Sequence, residues 1–298
     1  MILSWITIAL SGYLLLAFTG IADKFLVSKV VRQPIAYAFY TAITGPFSLV
    51  LAPFGAKLLS PHDFVVALVS GICFITFIYF SYSAIRESSV SRVMPIQGGL
   101  VPMFVFLFSY LILGERLAGS QTFGFLFLVA GAVLISFRKE HGAWTHKALL
   151  FASLAAAFLA MSSVLTKYIF DHSNFISGMV WTRIGFIIPI LPILMFKKNR
   201  KAIFNAPKEA GVRNAVLYYS SRATGTVGGF LQNYAVSLGS VSVVSALQGT
   251  QFVFLLLLTS FFSVYFPSVL KEKINPAVIA LKLMAIILIS FGLYLITK

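Results

Sequence analysis

The chain has 298 residues, of which 59% are hydrophobic and 10% charged, and its mean hydropathy is +0.94. An ordinary globular domain, with roughly a quarter of its residues charged, cannot hide that much apolar surface, so a soluble fold is excluded and the chain belongs in a bilayer. The net charge of +15 does not point to nucleic acid, because the Lys and Arg residues sit between apolar runs in the manner of membrane-orientation signals.

A helix crosses the hydrocarbon with about 20 mainly apolar residues. Ten such spans can be placed, near 3–22, 35–56, 64–85, 90–113, 119–137, 147–169, 175–196, 214–237, 241–266 and 277–297. The alternating pattern of a membrane barrel is absent, so helices are left to satisfy the backbone in lipid, and the expected fold class is an all-α integral membrane protein with ten transmembrane helices. The first run lacks the basic flank of a signal peptide and reads as a retained span. After the fourth span, Leu111 to Ile135 reads LILGERLAGSQTFGFLFLVAGAVLI, with Glu115 between two runs too apolar for water. After the ninth, Ser268 to Ile296 reads SVLKEKINPAVIALKLMAIILISFGLYLI, with Glu272 in the same place.

That recurrence is part of an internal repeat. Ala17 to Phe25 (AFTGIADKF) lies over Ala160 to Tyr168 (AMSSVLTKY), so that Lys24 matches Lys167. Ala84 to Gly98 (AIRESSVSRVMPIQG) lies over Ala235 to Gly249 (AVSLGSVSVVSALQG), and Leu113 to Arg116 (LGER) over Leu270 to Lys273 (LKEK). The halves are 1–142 and 143–298. Five spans is an odd number, so the second half enters from the opposite side. Two inverted five-helix repeats are what alternating access uses, with a site near the midplane. A transporter is the leading expectation.

On these residues the chain resembles the EamA-type, ten-helix branch of the drug/metabolite transporter superfamily. The resemblance rests on Lys24 closing the first span, Ala84 to Pro95 entering the fourth and Gly114 with Glu115 leaving it, and Gln121, Gly124 and Gly131 in the fifth. It covers nearly the whole chain and makes each half an EamA-like repeat. Trp181 and Arg183 resemble the aromatic and arginine pattern of such repeats. The resemblance implies a carrier for a small metabolite, often amino-acid-like and often exported.

Ionisable residues deep in a span usually face a cavity or a partner. Arg183, near the middle of span seven, and Arg222, a third of the way into span eight, are candidates to hold a substrate carboxylate or phosphate in a fork geometry that Lys cannot reproduce. Snorkelling to the interface is the competing reading, and it is the one taken for Lys282. Gln97 and Gln248 occupy equivalent positions and suit either a zwitterion or helix-to-helix bonding. Tyr82, Gln232 and Asn233 share that ambiguity, and Tyr40 and Trp181 are candidate cavity residues or packing aromatics. Glu115 and Glu272, near the starts of the fifth and tenth helices, are either structural turn residues or a gate latch, with Lys24 and Lys167 in the same group. Ser221, Gly225, Gly228 and Gly229 predict close helix packing.

All eight acidic residues, Asp23, Asp63, Glu87, Glu115, Glu140, Asp171, Glu209 and Glu272, fall at span ends or in connections, as do His62, His141, His146 and His172. The sequence therefore offers no mid-membrane carboxylate for a proton or organic cation. An intramembrane lipid-modifying enzyme would need a nucleophile with its base, a metal cluster or paired acids, and no HExxH or GxSxG is present. A non-transporting helical bundle would not need two inverted halves. No metal or cofactor is called for, and the lone Cys73 reads as a packing residue. The expected partners are a small-molecule solute and the lipid bilayer, in a monomer or homodimer of a prokaryotic cytoplasmic (inner) membrane. Connections after odd-numbered spans carry 16 Lys and Arg against 4 on the other side, leaving out Arg183, Arg222 and Lys282. The positive-inside rule then puts both termini outside, whereas the family resemblance implies both inside.

Overall fold

The computed structural model describes residues 2–29, 34–88, 90–136, 145–210, 212–265 and 276–297. Helix α1 is Ile2–Lys29, α2 is Pro34–Ile43, α3 is Pro61–Glu87, α4 is Val90–Phe108, α5 is Gly119–Ser136 and α6 is His146–His172. They are followed by α7 (Phe175–Ile184), α8 (Ile190–Met195), α9 (Lys197–Ala210), α10 (Val212–Leu238), α11 (Val241–Ala246), α12 (Gln248–Tyr265) and α13 (Pro276–Thr297). No strand occurs among the described residues. Seven segments there are long and apolar enough to cross a membrane, and Gly119–Leu134 and Leu283–Ile296 are shorter apolar helices.

Helix starts follow from side-chain caps that satisfy otherwise orphaned N–H groups. The hydroxyl of Ser60 accepts from Asp63 N at 3.1 Å before the proline that opens α3, Thr145 Oγ1 accepts from Ala148 N at 3.2 Å for α6, and Asn174 Oδ1 accepts from Ser177 N at 2.7 Å for α7. Gly114 ends the span of α4, after a π-helical turn over Ser109–Leu113, in a left-handed conformation with φ 65°.

Two spans are not continuous α-helices. The second passes from α2 into a 3-10 stretch, Gly45–Phe54, with Pro46 in its first turn, and the seventh breaks at Gly185–Ile187 and Pro189 before α8. Proline removes a ladder N–H and crowds the preceding turn, which accounts for both positions. A further difference from the sequence expectation is α9, where the basic cluster read as a connection forms a helix held by Ile203, which is fully buried.

Long helices pack as antiparallel pairs. Ser70 of α3 meets Ser162 and Thr166 of α6, while Phe80 stacks on Phe158. In the pair of α1 and α10, a Cβ at Gly12 would lie 2.9 Å from the Gly228 carbonyl, and one at Gly225 3.2 Å from Thr19. Tyr13, buried in α1, donates to the Val244 carbonyl at 2.7 Å and accepts from Gln232 Nε2 at 2.9 Å, tying α1 to α10 and α11. Close approach at small residues is the usual way membrane helices gain contact. Gly229, expected on that seam, has nothing within 4 Å of its Cβ position and faces away.

Candidate functional site

Helices α2, α3, α8 and α9 and the Gly185–Ile187 turn enclose one buried cluster that includes Tyr37, Ile75, Ile78, Phe186, Ile190 and Ile203. Arg183 and Arg222 both touch its aromatic residues. The guanidinium carbon of Arg183 lies 5.0 Å from the ring centroid of Phe186 and 5.5 Å from that of Phe74. Those two rings are themselves stacked at 4.9 Å. Arg222 of α10 lies 5.3 Å from the Tyr37 ring, which stacks on Tyr82 at 3.7 Å. Phe74 stands at the middle of α3, and Tyr82 is about 12 Å further along it at the rise of an α-helix. The arginines therefore occupy two stations along α3.

Glycines let α7 come this close. A Cβ at Gly71 would run into the Thr182 carbonyl and the Gly185 backbone, and one at Gly45 into the Arg183 carbonyl and the Phe186 ring. Tyr37, Thr41 and Gly45 follow one another at intervals of four along the second span, from the Arg222 station towards the Arg183 station. Between them the Thr41 hydroxyl is buried and has no hydrogen-bond partner among the described residues.

A cation–π contact contributes about 0.5–2 kcal/mol, whereas taking a charge out of water costs several. Two rings do not offset that cost for Arg183. Among the described residues it has neither an ion pair nor a hydrogen bond. The station presents a planar cationic fork against aromatic rings, a chemistry suited to an anion.

The other expected site residues are dispersed. Tyr40 donates to the Ile203 carbonyl at 3.0 Å, and Trp181 donates from Nε1 to the Lys57 carbonyl at 2.8 Å with its ring edge-on to Phe64. Both are fastenings, of α9 and of the loop before α3 respectively. Gln97, buried in α4, donates from Nε2 to Ser81 of α3 at 3.0 Å. Gln248 has no hydrogen bond among the described residues, so the two amides are not joined. Gln232 belongs to the Tyr13 bond, and Asn233 donates to the Gly229 carbonyl of its own helix at 2.7 Å. Glu115 accepts from Ser242 at 2.8 Å, and Lys167 pairs with Asp171 at 2.9 Å. The side chains of Lys24, Glu272 and Lys282 lie outside the described residues. Sequence reasoning missed Tyr37, Thr41, Phe74 and Phe186, since nothing distinguishes them from the other aromatic and hydroxyl residues of the spans.

Fold and site together define a multi-pass helical membrane protein with paired cation–aromatic stations between its helices. Residues 3–137 match the EamA-like transporter family. That segment, a little under half of the chain, is similar to this family, which lies within the drug/metabolite transporter superfamily. No curated protein matches the chain. A solved structure described as "Crystal structure of protein" superposes with a TM-score of 0.71 at 18% sequence identity, over 99% of this chain and 98% of that one. At that identity the likeness concerns the fold.

Proposed function

We propose that the protein is a carrier for a small carboxylate-bearing metabolite, amino-acid-like in size, which it exports or exchanges across a prokaryotic inner membrane by alternating access. The observation that carries this reading is Arg183, held against Phe74 and Phe186 at mid-span with no carboxylate of the described protein beside it. Arg183 takes the substrate anion, Thr41 supplies a hydroxyl to it, and Arg222 with Tyr37 and Tyr82 forms a second station on the route. Tyr40 and Trp181 shape the site through the helices they fasten.

Ten crossings in two inverted repeats, 1–142 and 143–298, complete the proposal. Its support is the equivalence of the antiparallel pairs. The repeat alignment carries α3 onto α10 and α6 onto α1, so Ser70 over Ser162 becomes Ser221 over Thr19. The observed contact, Gly225 on Thr19, lies one helical turn from that position. The fifth and tenth spans, α5 and α13, pair with one another through Gly124 and Gly292, as helices exchanged by a twofold axis would.

Counterflow in vesicles tests the reading. Purified protein is reconstituted with a panel of unlabelled amino acids and small carboxylates inside and the labelled compound outside. Uptake of at least one carboxylate is expected, and Arg183→Lys, which keeps the charge and loses the fork, should reduce it by about tenfold or more. Counterflow confined to solutes without an anionic group, or unchanged in Arg183→Lys, overturns the assignment.

A further inference from the structure

Helix α9 leaves the membrane directly after the span Phe175–Met195. One face is fastened to the protein. Ile203 is fully buried, its carbonyl accepts the Tyr40 hydroxyl at 3.0 Å, and Asn199 Nδ2 donates to the Ile193 carbonyl at 3.2 Å. The rest of the circumference presents Lys197, Lys198, Arg200 and Lys201, all exposed. These cations stand at i,i+3 and i,i+4 spacings, where like charges repel. None of the four has an ion pair among the described residues.

Beside the charges are large apolar side chains turned outward: Met195 is 79% exposed, Phe196 65% and Phe204 61%. A basic tract selected only to set membrane orientation needs positive residues in a connection. It needs neither an ordered helix nor exposed phenylalanines among them. Cations interleaved with apolar residues at a span end are what an anionic lipid interface accommodates, with phosphates against the ammonium and guanidinium groups and aromatic rings at the acyl boundary.

We propose that α9 is a binding site for anionic phospholipid headgroups at the membrane surface. Lys197, Lys198, Arg200 and Lys201 hold the phosphates, and Phe196 and Phe204 insert beside the acyl chains. Through Ile203 and Tyr40 the bound lipid also holds α2, so anionic lipid stabilises this part of the fold. The positive-inside rule places α9 at the cytoplasmic leaflet, which is the anionic one.

The full chain is purified, placed in nanodiscs of phosphatidylcholine with increasing phosphatidylglycerol, and followed by thermal unfolding and by lipid retained in native mass spectrometry. Each cation near an anionic surface is worth about fivefold in partitioning. Changing Lys197, Lys198, Arg200 and Lys201 to Gln should therefore weaken phosphatidylglycerol retention at least about tenfold and abolish its effect on the unfolding midpoint. A control with Lys57, Arg86, Arg116 and Lys147, which are also exposed, changed to Gln carries the same charge difference and should retain both. Equal loss in the two variants, or no loss in the first, overturns the proposal. If the first variant does not fold, a salt titration of the unaltered protein serves instead, and retention insensitive to salt is the overturning result. Inorganic phosphate reproducing the midpoint shift would overturn the assignment to lipid. No readout depends on transport, so the outcome is independent of the carrier reading.

Discussion

Ser242 donates its hydroxyl hydrogen to the Glu115 carboxylate at 2.8 Å, joining the end of the fourth span to α11 across 127 positions of sequence. Ser109 Oγ lies 2.7 Å from Ser242 Oγ, and its hydroxyl also reaches the Phe106 carbonyl at 3.1 Å. The carboxylate between two apolar runs thus has a partner in the second half of the chain, while Gln121 Oε1 accepts from Ala118 N at 3.2 Å at the start of α5. A hydrogen bond to a charged group contributes about 1.5–3 kcal/mol. A double-mutant cycle of Glu115→Ala and Ser242→Ala, read by unfolding in micelles, should give a coupling in that range. Glu115→Gln, which keeps an oxygen acceptor, should lose less than Glu115→Ala. Additivity within about 0.5 kcal/mol would show that the contact contributes nothing.

Thr41 separates a binding role from a packing role. Its buried hydroxyl has no partner among the described residues, and an unsatisfied buried polar group costs about 1–3 kcal/mol. Thr41→Val keeps the shape and removes that penalty, so the thermal midpoint should hold or rise. If the hydroxyl serves the substrate, the concentration for half-maximal transport should rise about three- to tenfold, the equivalent of one modest hydrogen bond. A fall in stability with unchanged transport would make Thr41 a packing residue.

Glycine substitutions should diverge by position. Gly71→Ala drives a Cβ into the Thr182 carbonyl and the Gly185 backbone, and neither can move without separating α3 from α7. The expected cost is about 1–3 kcal/mol or more, with loss of the Arg183 station. Gly229→Ala meets nothing within 4 Å and should be neutral, or stabilising by about 0.5–1 kcal/mol through helix propensity. Unfolding of both variants in the same detergent checks the contrast, and equal destabilisation would contradict the packing described.

The likeness of residues 3–137 to the EamA-like family was legible because it is written in order and spacing. Gly124 and Gly131 of that pattern have a physical reason here, since Cβ atoms there would meet the backbones of Gly292 and Ala285 in α13. The aromatic partners of the arginines were not legible. The chain holds 30 Phe and 12 Tyr, and in lipid every helix face is apolar, so no contrast between wet and dry faces singles out Phe74 or Phe186. Broken spans escaped because Gly45, Pro46 and Pro189 interrupt the backbone without interrupting hydropathy. The order of α9 escaped because four cations at its start hide the inward Ile203. Tyr40 and Trp181 were chosen as aromatic residues near a presumed cavity, and it is their polar atoms, bonded to carbonyls, that place them.

The source of driving force follows from where protons can be carried. Among the described residues no acidic or histidine side chain is buried, and arginine stays protonated in proteins. Glu115 is partly buried at a span end and engaged by Ser242, and Lys167 pairs with Asp171, so neither offers a proton carrier at the Arg183 station. A cycle driven by the gradient of the substrate, or by exchange of one solute for another, is therefore expected in place of proton antiport. Vesicles containing the purified protein should equilibrate substrate down its own gradient with equal pH on both sides. They should accelerate when a second carboxylate is trapped inside. A pH gradient imposed alone, with no counter-solute, should produce no accumulation above the external concentration. Accumulation that collapses on adding a protonophore would place a proton carrier in the cycle, and replacement of each carboxylate in turn, starting with Glu115, would then locate it.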